Sequence, residues 1–240
     1  YSSPIHFLEF KMPFKRKQLM GTIDKAGLEQ LVQPLITEMI NQINLLPPTE
    51  KILFFCWMDV KAEGKLEKND SIDDYLTDSK AFTQHKLDLV KLLDDGLMKA
   101  GISSDRYAIH YRGSGYDKGR NDFRNYSAIS FLGDWNVDPT IANTINQVYG
   151  TQCTYTDYKK AQIVQAILRI RIRNHQGEPI IVFYSDDIDK DSDGDYKATR
   201  VMYQVFDYFT KVSSGRIIGF EKPNIQRDMI RLNEKFPDLL

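Results

Sequence analysis

The stretch KILFFCWMDV, residues 51–60, decides the fold class. Its apolar run has the length of one strand and ends at Asp59. Unbroken apolar runs of this length are typical of strands that are covered on both faces, as in parallel sheets. A second run, EPIIVFYSDD at residues 178–187, has the same character and ends at Asp186 and Asp187. The two runs predict a sheet with helices packed on both of its faces.

Helical and strand-like segments alternate along the chain. Apolar residues at helical spacing predict the helices, and short apolar runs predict the strands. Residues 5–14 fit either a strand or a docking arm, and LRIRIR, residues 168–173, fits either the end of a helix or a strand. We expect helices near 24–45, 79–100, 138–148, 159–177, 198–212 and 225–236, with strands near 51–59, 106–112, 126–132, 180–186 and 216–221. This order predicts an α/β three-layer sandwich with a largely parallel central sheet and helices on both faces.

Composition is that of an ordinary globular chain, with 42% hydrophobic and 27% charged residues among 240. The formal net charge of −1 provides no overall field to attract nucleic acid, so we expect no nucleic-acid partner. Two distant cysteines, Cys56 and Cys153, form no disulfide framework and no metal-thiolate spacing. No apolar stretch is long enough for a transmembrane helix. The chain opens on Tyr1, and we expect it to be part of a longer protein.

The domain organisation follows from the same reading. Residues 1–48 are predicted to be an arm and a helix packed on the core, and residues 49–240 a single α/β domain. Insertions are expected near 60–78 and 115–150, where the periodic pattern is weakest.

Polar residues follow three of the predicted strands at the point where each strand ends. Asp59 follows the first buried run, Ser114 follows YAIHYRG, and Asp186 and Asp187 follow IIVFYS. In open α/β sheets, ligands bind beyond the carboxyl ends of the strands. A fourth element, Lys159-Lys160, opens the helix that precedes IIVFYS. These residues are the candidates for a site.

This order of motifs resembles the haloacid dehalogenase-like (HAD-like) phosphohydrolase superfamily, over roughly residues 50–220. The matching stretches are FFCWMD, AIHYRGS, YKKAQIVQAIL and IIVFYSDDID. The resemblance implies that Asp59 attacks phosphorus as a carboxylate nucleophile. It also implies that Ser114 and Lys160, or its neighbour Lys159, hold phosphoryl oxygens.

The metal and the acid/base residue are also implied by this resemblance. Asp59, Asp186 and Asp187 would bind Mg²⁺, a hard cation that favours carboxylate and water ligands. The family's first motif reads D-x-D, whereas Lys61 stands at its second position here. An active magnesium-dependent phosphatase and a catalytically degenerate relative both fit this departure.

A separate signal lies in DKDSDGD, residues 189–195. Asp189, Asp191 and Asp193 match the first ligand positions of a calcium loop of the EF-hand type. Position twelve is Arg200, where that loop requires a bidentate Glu. An acidic exposed loop is therefore the favoured interpretation, with Ca²⁺ binding as the alternative.

Two further functions stay open. The missing D-x-D pair favours a non-catalytic binding or regulatory module, and the Lys-, Asn-, Ile- and Tyr-rich composition is similar to that of bacterial effectors. The glycine-rich loop RGSGYDKGR, residues 112–120, suggests a nucleotide-binding domain. The expected partner is a phosphorylated small molecule or protein, and the expected location is the cytoplasm or a host cytosol.

Overall fold

A computed structural model provides the fold. It describes residues 4–15, 18, 25–56, 89–111, 122–133, 135, 139–174, 178–185, 188, 201–212 and 217–221. The predicted C-terminal helix at 225–236 and the first half of the predicted helix at 79–100 lie outside these residues.

Six strands and five helices make up the described part of the chain. The strands are β1 (Ile5–Phe10), β2 (Ile52–Cys56), β3 (Tyr107–Tyr111), β4 (Ala128–Phe131), β5 (Ile180–Ser185) and β6 (Ile217–Glu221). The helices are α1 (Lys25–Asn44), α2 (89–99), α3 (Pro139–Tyr149), α4 (Tyr155–Ile167) and α5 (Val201–Val212). A 3₁₀ turn covers Arg171–Asn174.

The LRIRIR segment is helical in character, so the alternative of a strand there is wrong. Leu168 donates its backbone N–H to the carbonyl of Val164, which extends α4 by a residue. Arg169 and Ile170 then bond three residues back, and the 3₁₀ turn follows. Local hydrogen bonds therefore satisfy the backbone N–H groups of residues 168–170, whereas the N–H of Arg171 bonds to the carbonyl of Tyr126.

All six strands are parallel and lie in the order β3-β2-β4-β5-β1-β6. The α/β sandwich with a parallel central sheet is therefore confirmed. Residues 5–10, for which the sequence left open a strand or an arm, form β1 between β5 and β6. The register pairs Ile5 with Ile180 and Phe10 with Ser185.

The sheet separates two hydrophobic cores, because side chains alternate between its faces. One core lies under α1 and α2 and includes Phe54 and Phe183. The other lies under α4 and α5 and includes Phe55 and Tyr184. These neighbouring residues of β2 and β5 belong to opposite cores, so both strands are covered on both faces, as their unbroken apolar runs predicted.

The direction in which the chain crosses the sheet reverses between these faces. The connections from β1 to β2 and from β2 to β3 carry α1 and α2 on one face. Those from β4 to β5 and from β5 to β6 run the other way, with α4 and α5 on the opposite face. Crossover connections between parallel strands share one handedness, so connections on opposite faces of the sheet have to run in opposite directions.

Two topological switch points result from this reversal. They are the neighbouring pairs β2/β4 and β5/β1, whose outgoing connections leave toward opposite faces. Such departures open a crevice outside the carboxyl ends of the two strands, which is where ligands bind in doubly wound sheets.

Close approach of α1 and α2 depends on Gly96. A Cβ placed on Gly96 would lie 2.4 Å from Cδ1, 3.0 Å from Cγ1 and 3.2 Å from Cγ2 of Ile36. Ile36 is buried in the α1/α2 core, so its branched side chain has little room to move.

Gly96→Ala is therefore expected to lower the free energy of unfolding by about 1–2 kcal/mol, because overpacking outweighs the gain in helix propensity. Urea unfolding of the two proteins measures this difference. Adding Ile36→Val, which removes the nearest carbon, is expected to recover part of the loss. Equal or greater stability of Gly96→Ala would contradict this packing.

Within the described residues no helix has both the length and the apolar character needed to cross a membrane.

Candidate functional site

The carboxyl ends of the six parallel strands lie at one edge of the sheet, and the predicted site residues follow three of them. Asp59 comes three positions after the end of β2, and Ser114 three positions after the end of β3. Asp186 and Asp187 follow β5 directly. All four residues lie outside the described ranges, as do Lys61 and Arg200.

The strand order sets the distances between the strand ends that precede these residues. β2 and β3 are neighbours, whereas β4 lies between β2 and β5. Neighbouring strands are about 4.8 Å apart, so the ends of β2 and β5 are separated by about 10 Å. The end of β2 borders the β2/β4 crevice, and the end of β5 borders the β5/β1 crevice.

The two candidate lysines at the start of α4 have different environments. Lys159 is 3% exposed, and its Nζ donates a hydrogen bond to the carbonyl oxygen of Ile188 at 2.7 Å. Lys160 has a side chain that is 33% exposed, and its Nζ lies 3.7 Å from a carboxylate oxygen of Asp157. Lys159 thus contacts the segment that follows β5, whereas Lys160 pairs within its own helix.

A capping box defines the start of α4. The hydroxyl of Thr154 accepts a hydrogen bond from the backbone N–H of Asp157, whose carboxylate accepts one from the backbone N–H of Thr154. The hydroxyl of Thr154 also donates to this carboxylate, and these bonds hold the pKa of Asp157 below its usual range. With the first turn fixed, Lys159 and Ile163 share the buried face of the helix. Lys159, not Lys160, therefore lies on the side of α4 that packs against the core.

Cys56 ends β2 and is the described nucleophile nearest to Asp59 in sequence. Its side chain is 5% exposed, and burial raises the pKa of the thiol to about 12. A thiol with this pKa stays protonated at neutral pH, and the thiolate is the nucleophilic form. Cys56 is therefore a core residue of β2.

An aromatic cluster covers the α4/α5 side of the β2/β4 crevice. The ring of Trp135 stands edge-on to Phe55 at 5.5 Å and to Phe131 at 5.0 Å between centroids. Trp135 is 3% exposed, so this end of the crevice has an apolar wall.

Sequence reasoning missed polar residues at the β5/β1 crevice. Glu9 lies near the carboxyl end of β1, in register with Tyr184 of β5, and is 5% exposed. Ser185, the last residue of β5, is fully buried. The signal in the sequence was one carboxylate within the apolar segment IHFLEF, but only the pairing of β1 with β5 places it next to the end of β5.

Metal ligands were predicted from the sequence after β2 and β5. Within the described ranges no three His, Cys, Asp or Glu side chains form a group that could hold a metal ion. The predicted ligands of both metals lie outside these ranges. They are Asp59, Asp186 and Asp187 for magnesium, and Asp189, Asp191 and Asp193 for calcium. The residues that follow β2 and β5 in the sequence include Asp59, Asp186 and Asp187, whose carboxylates are the ligand type that a hard divalent cation prefers.

Comparison with known proteins adds no relative. No family model matches the chain, and no curated protein matches it either. Its function therefore has to be argued from its own residues.

Proposed function

We propose that this chain is a HAD-like phosphohydrolase domain that acts on a phosphorylated small molecule or protein through an aspartate and magnesium site. One observation supports it above the others: the strands are all parallel, so those preceding Asp59, Ser114, Asp186 and Asp187 end at one edge. That edge is also where doubly wound sheets bind ligands.

Each residue has a role in this proposal. Asp59 attacks phosphorus and forms an aspartyl phosphate, while the bond to the leaving oxygen breaks. Ser114 donates a hydrogen bond to a phosphoryl oxygen. Asp186 and Asp187 bind Mg²⁺ together with Asp59, and the cation supplies charge stabilisation at the phosphoryl group when bound.

The environment of the lysines refines the proposal. Lys159 is buried and bonded to the segment after β5, so we assign it in preference to Lys160 as the lysine of the site. Its ammonium group holds the carbonyl of Ile188 and thereby positions the chain that carries the metal-binding carboxylates. Lys160 instead pairs with Asp157, which belongs to the capping box of α4.

A second candidate is a non-catalytic binding or regulatory module, of the kind used by bacterial effectors. The position of β4 favours it, because this strand separates the ends of β2 and β5 by about 10 Å. Lys61 in place of the second aspartate favours it as well. Under this alternative the same edge binds a phosphorylated ligand without hydrolysing it.

The test is hydrolysis of an aryl phosphate with Mg²⁺ and with a chelator, using Lys159→Met and Lys160→Met as a matched pair. We expect Mg²⁺-dependent turnover, with kcat reduced about 10²-fold in Lys159→Met. Lys160→Met is expected to stay within about threefold of the wild type, because its side chain is solvated.

The melting temperature separates a positioning role from simple loss of the fold. Lys159→Met is expected to remain folded at the assay temperature, and Lys159→Arg to recover part of kcat by restoring a cationic donor. An equal loss in both lysine variants would contradict the assignment of Lys159. Absence of turnover in the wild type under every condition would favour the binding module.

A further inference from the structure

The strand β3 is at one end of the strand order, with β2 as its neighbour. Among the residues that the structure describes, no strand lies on the other, outer side of β3. Its sequence, YAIHY, has high β-propensity and contains no Lys, Asp, Glu or Pro, its register with β2 is unbroken, and four of its five residues are partly exposed. Proteins usually protect edge strands with charges, prolines or bulges, so an edge strand without them is suited to pairing with a further strand.

The hydrogen bonds to β2 show which backbone groups of β3 face outward. Ile52 donates its backbone N–H to the carbonyl of Arg106, and Ile52 is in register with Tyr107. In a parallel pair with this pattern, the N–H and C=O groups of alternate residues point toward the partner strand, and those of the residues between them point away from it. The backbone groups of Tyr107, Ile109 and Tyr111 therefore point to the outer side of β3.

These three residues are evenly spaced and centred on Ile109, so the outer side of β3 is complementary to itself. If two copies pair antiparallel, Ile109 is opposite Ile109 of the second copy, and Tyr107 is opposite Tyr111 of the second copy. Each pair exchanges two backbone hydrogen bonds, which gives about six in total. All three side chains pack on the α1/α2 core, so the cross-strand neighbours are aromatic and β-branched residues, which form favourable pairs.

The side of α2 next to β3 provides a second, independent observation. Met98 is 48% exposed, one of three large exposed apolar side chains among the described residues. Gly96 of α2 faces Ile36 of α1. Asp94 instead accepts a hydrogen bond from the Tyr107 hydroxyl at 2.6 Å, so it lies on the β3 side of the helix. Met98 is four residues after Asp94 and shares that side, which places an exposed apolar side chain beside the outer side of β3.

We propose that β3 and α2 form a dimer interface, in which the β3 strands of two copies of this chain pair antiparallel about a two-fold axis at Ile109. The two sheets then form one continuous sheet, and the two α2 helices meet on one face of it, each with Met98 on the side of the other helix. A second copy fits this surface better than an unrelated extended peptide, because it supplies the matching backbone register and a second Met98 together. The inference does not depend on the proposed function.

Sedimentation equilibrium over about 1–200 μM measures the association, and we expect the wild type to reach the mass of two chains. Ile109→Pro removes an outward N–H but none of the hydrogen bonds to β2, and it is expected to raise the Kd for dimerisation at least about tenfold. Met98→Lys places a charge in the interface and is expected to raise the Kd at least about fivefold. Val148→Lys changes an exposed apolar side chain of α3 and is the matched control, with an expected Kd within about twofold of the wild type.

A cysteine at the two-fold axis tests the register. In a Cys153→Ser background, in which the remaining native Cys56 is buried, Ile109→Cys is expected to form a disulfide between two copies under oxidised glutathione. The reason is that the Cα atoms of a hydrogen-bonded antiparallel pair are about 5.5 Å apart, within the range of a disulfide. Ser103→Cys, exposed in the loop before β3, is the control and is expected to run as a monomer on a non-reducing gel.

The outcomes decide between a second copy and any other partner. A wild type that stays monomeric at every concentration would overturn the inference, which is also the result expected if an extended peptide were the partner of β3. A dimer that both Ile109→Pro and Met98→Lys leave unchanged, or one in which Ile109→Cys does not crosslink, would overturn it as well. Should circular dichroism show that Ile109→Pro fails to fold, Met98→Lys and the Ile109→Cys crosslink decide.

Discussion

Replacing Asp59 with asparagine is expected to lower kcat/KM for an aryl phosphate by about 10³-fold or more, since the amide cannot attack phosphorus. Loss of a nucleophile removes the covalent step itself, which is why this effect exceeds that of any other single change at the edge. Asparagine keeps the shape of the side chain, so the melting temperature is expected to change little.

The matched control is Asp105→Asn, at the opposite edge of the sheet. Asp105 is exposed in the turn before β3, where it accepts a hydrogen bond from the Ser103 hydroxyl. Its replacement is expected to leave kcat/KM within about twofold of the wild type. Mg²⁺-dependent turnover that survives in Asp59→Asn would contradict the assignment of Asp59 as the nucleophile. No detectable turnover in any of the proteins would contradict hydrolysis as the function.

Replacing Arg171 with methionine is expected to lower the free energy of unfolding by about 3 kcal/mol, roughly a 10²-fold change in the folding equilibrium. Arg171 is 7% exposed, and its Nη1 donates to both carboxylate oxygens of Glu50, at 2.8 and 2.7 Å. Its Nε and Nη2 donate to the carbonyl of Pro179. Methionine would leave these acceptors without their donors.

The size of this effect follows from burial and position. Glu50 precedes β2 and Pro179 precedes β5, so one guanidinium joins the amino ends of two strands that are not neighbours. Glu50 has a side chain that is 23% exposed, and Glu178 contacts the same nitrogen at 3.3 Å. Partial access to water places the loss at the lower end of the range for buried ion pairs.

Urea unfolding with a constant m-value measures the loss, and a double mutant tests its cause. Arg171→Met combined with Glu50→Met is expected to cost less than the sum of the single changes by more than about 1 kcal/mol. Lys211→Met is the exposed control: its pair with Asp207 is short at 2.6 Å, but both side chains are solvated and the expected loss is about 0.5 kcal/mol or less. A loss below about 1 kcal/mol in Arg171→Met would contradict the role assigned to it.

The fold class and most helices and strands could be read from the sequence, because each depends on a local pattern. The unbroken runs around Phe54 and Phe183 predicted strands covered on both faces, and both residues are core residues of a parallel sheet. The helix predicted at 24–45 is present as α1 at Lys25–Asn44. Ligands bind beyond the carboxyl ends of the strands in open α/β sheets, so the predicted strand ends were enough to indicate where a site would lie.

The candidate site could be predicted only in part. The sequence named a lysine at the start of α4 but did not distinguish Lys159 from Lys160, since neighbours in a helix differ only in the face on which they lie. Packing of α4 on the sheet decides that face, and it buries Lys159. Glu9 was not among the candidates, because residues 5–14 fit either a strand or an arm and the sequence does not show that they pair with β5.

By itself, the sequence determined what is local: the apolar runs, the helical periodicity and the polar residues at strand ends. Only the tertiary structure decided the strand order, and with it the insertion of β1 beside β5, the separation of β2 from β5 by β4, and the joining of Arg171 to Glu50. The physical reason is that strand order depends on pairings between segments far apart in the chain. The backbone hydrogen bonds of these pairings are the same whichever side chains the strands carry.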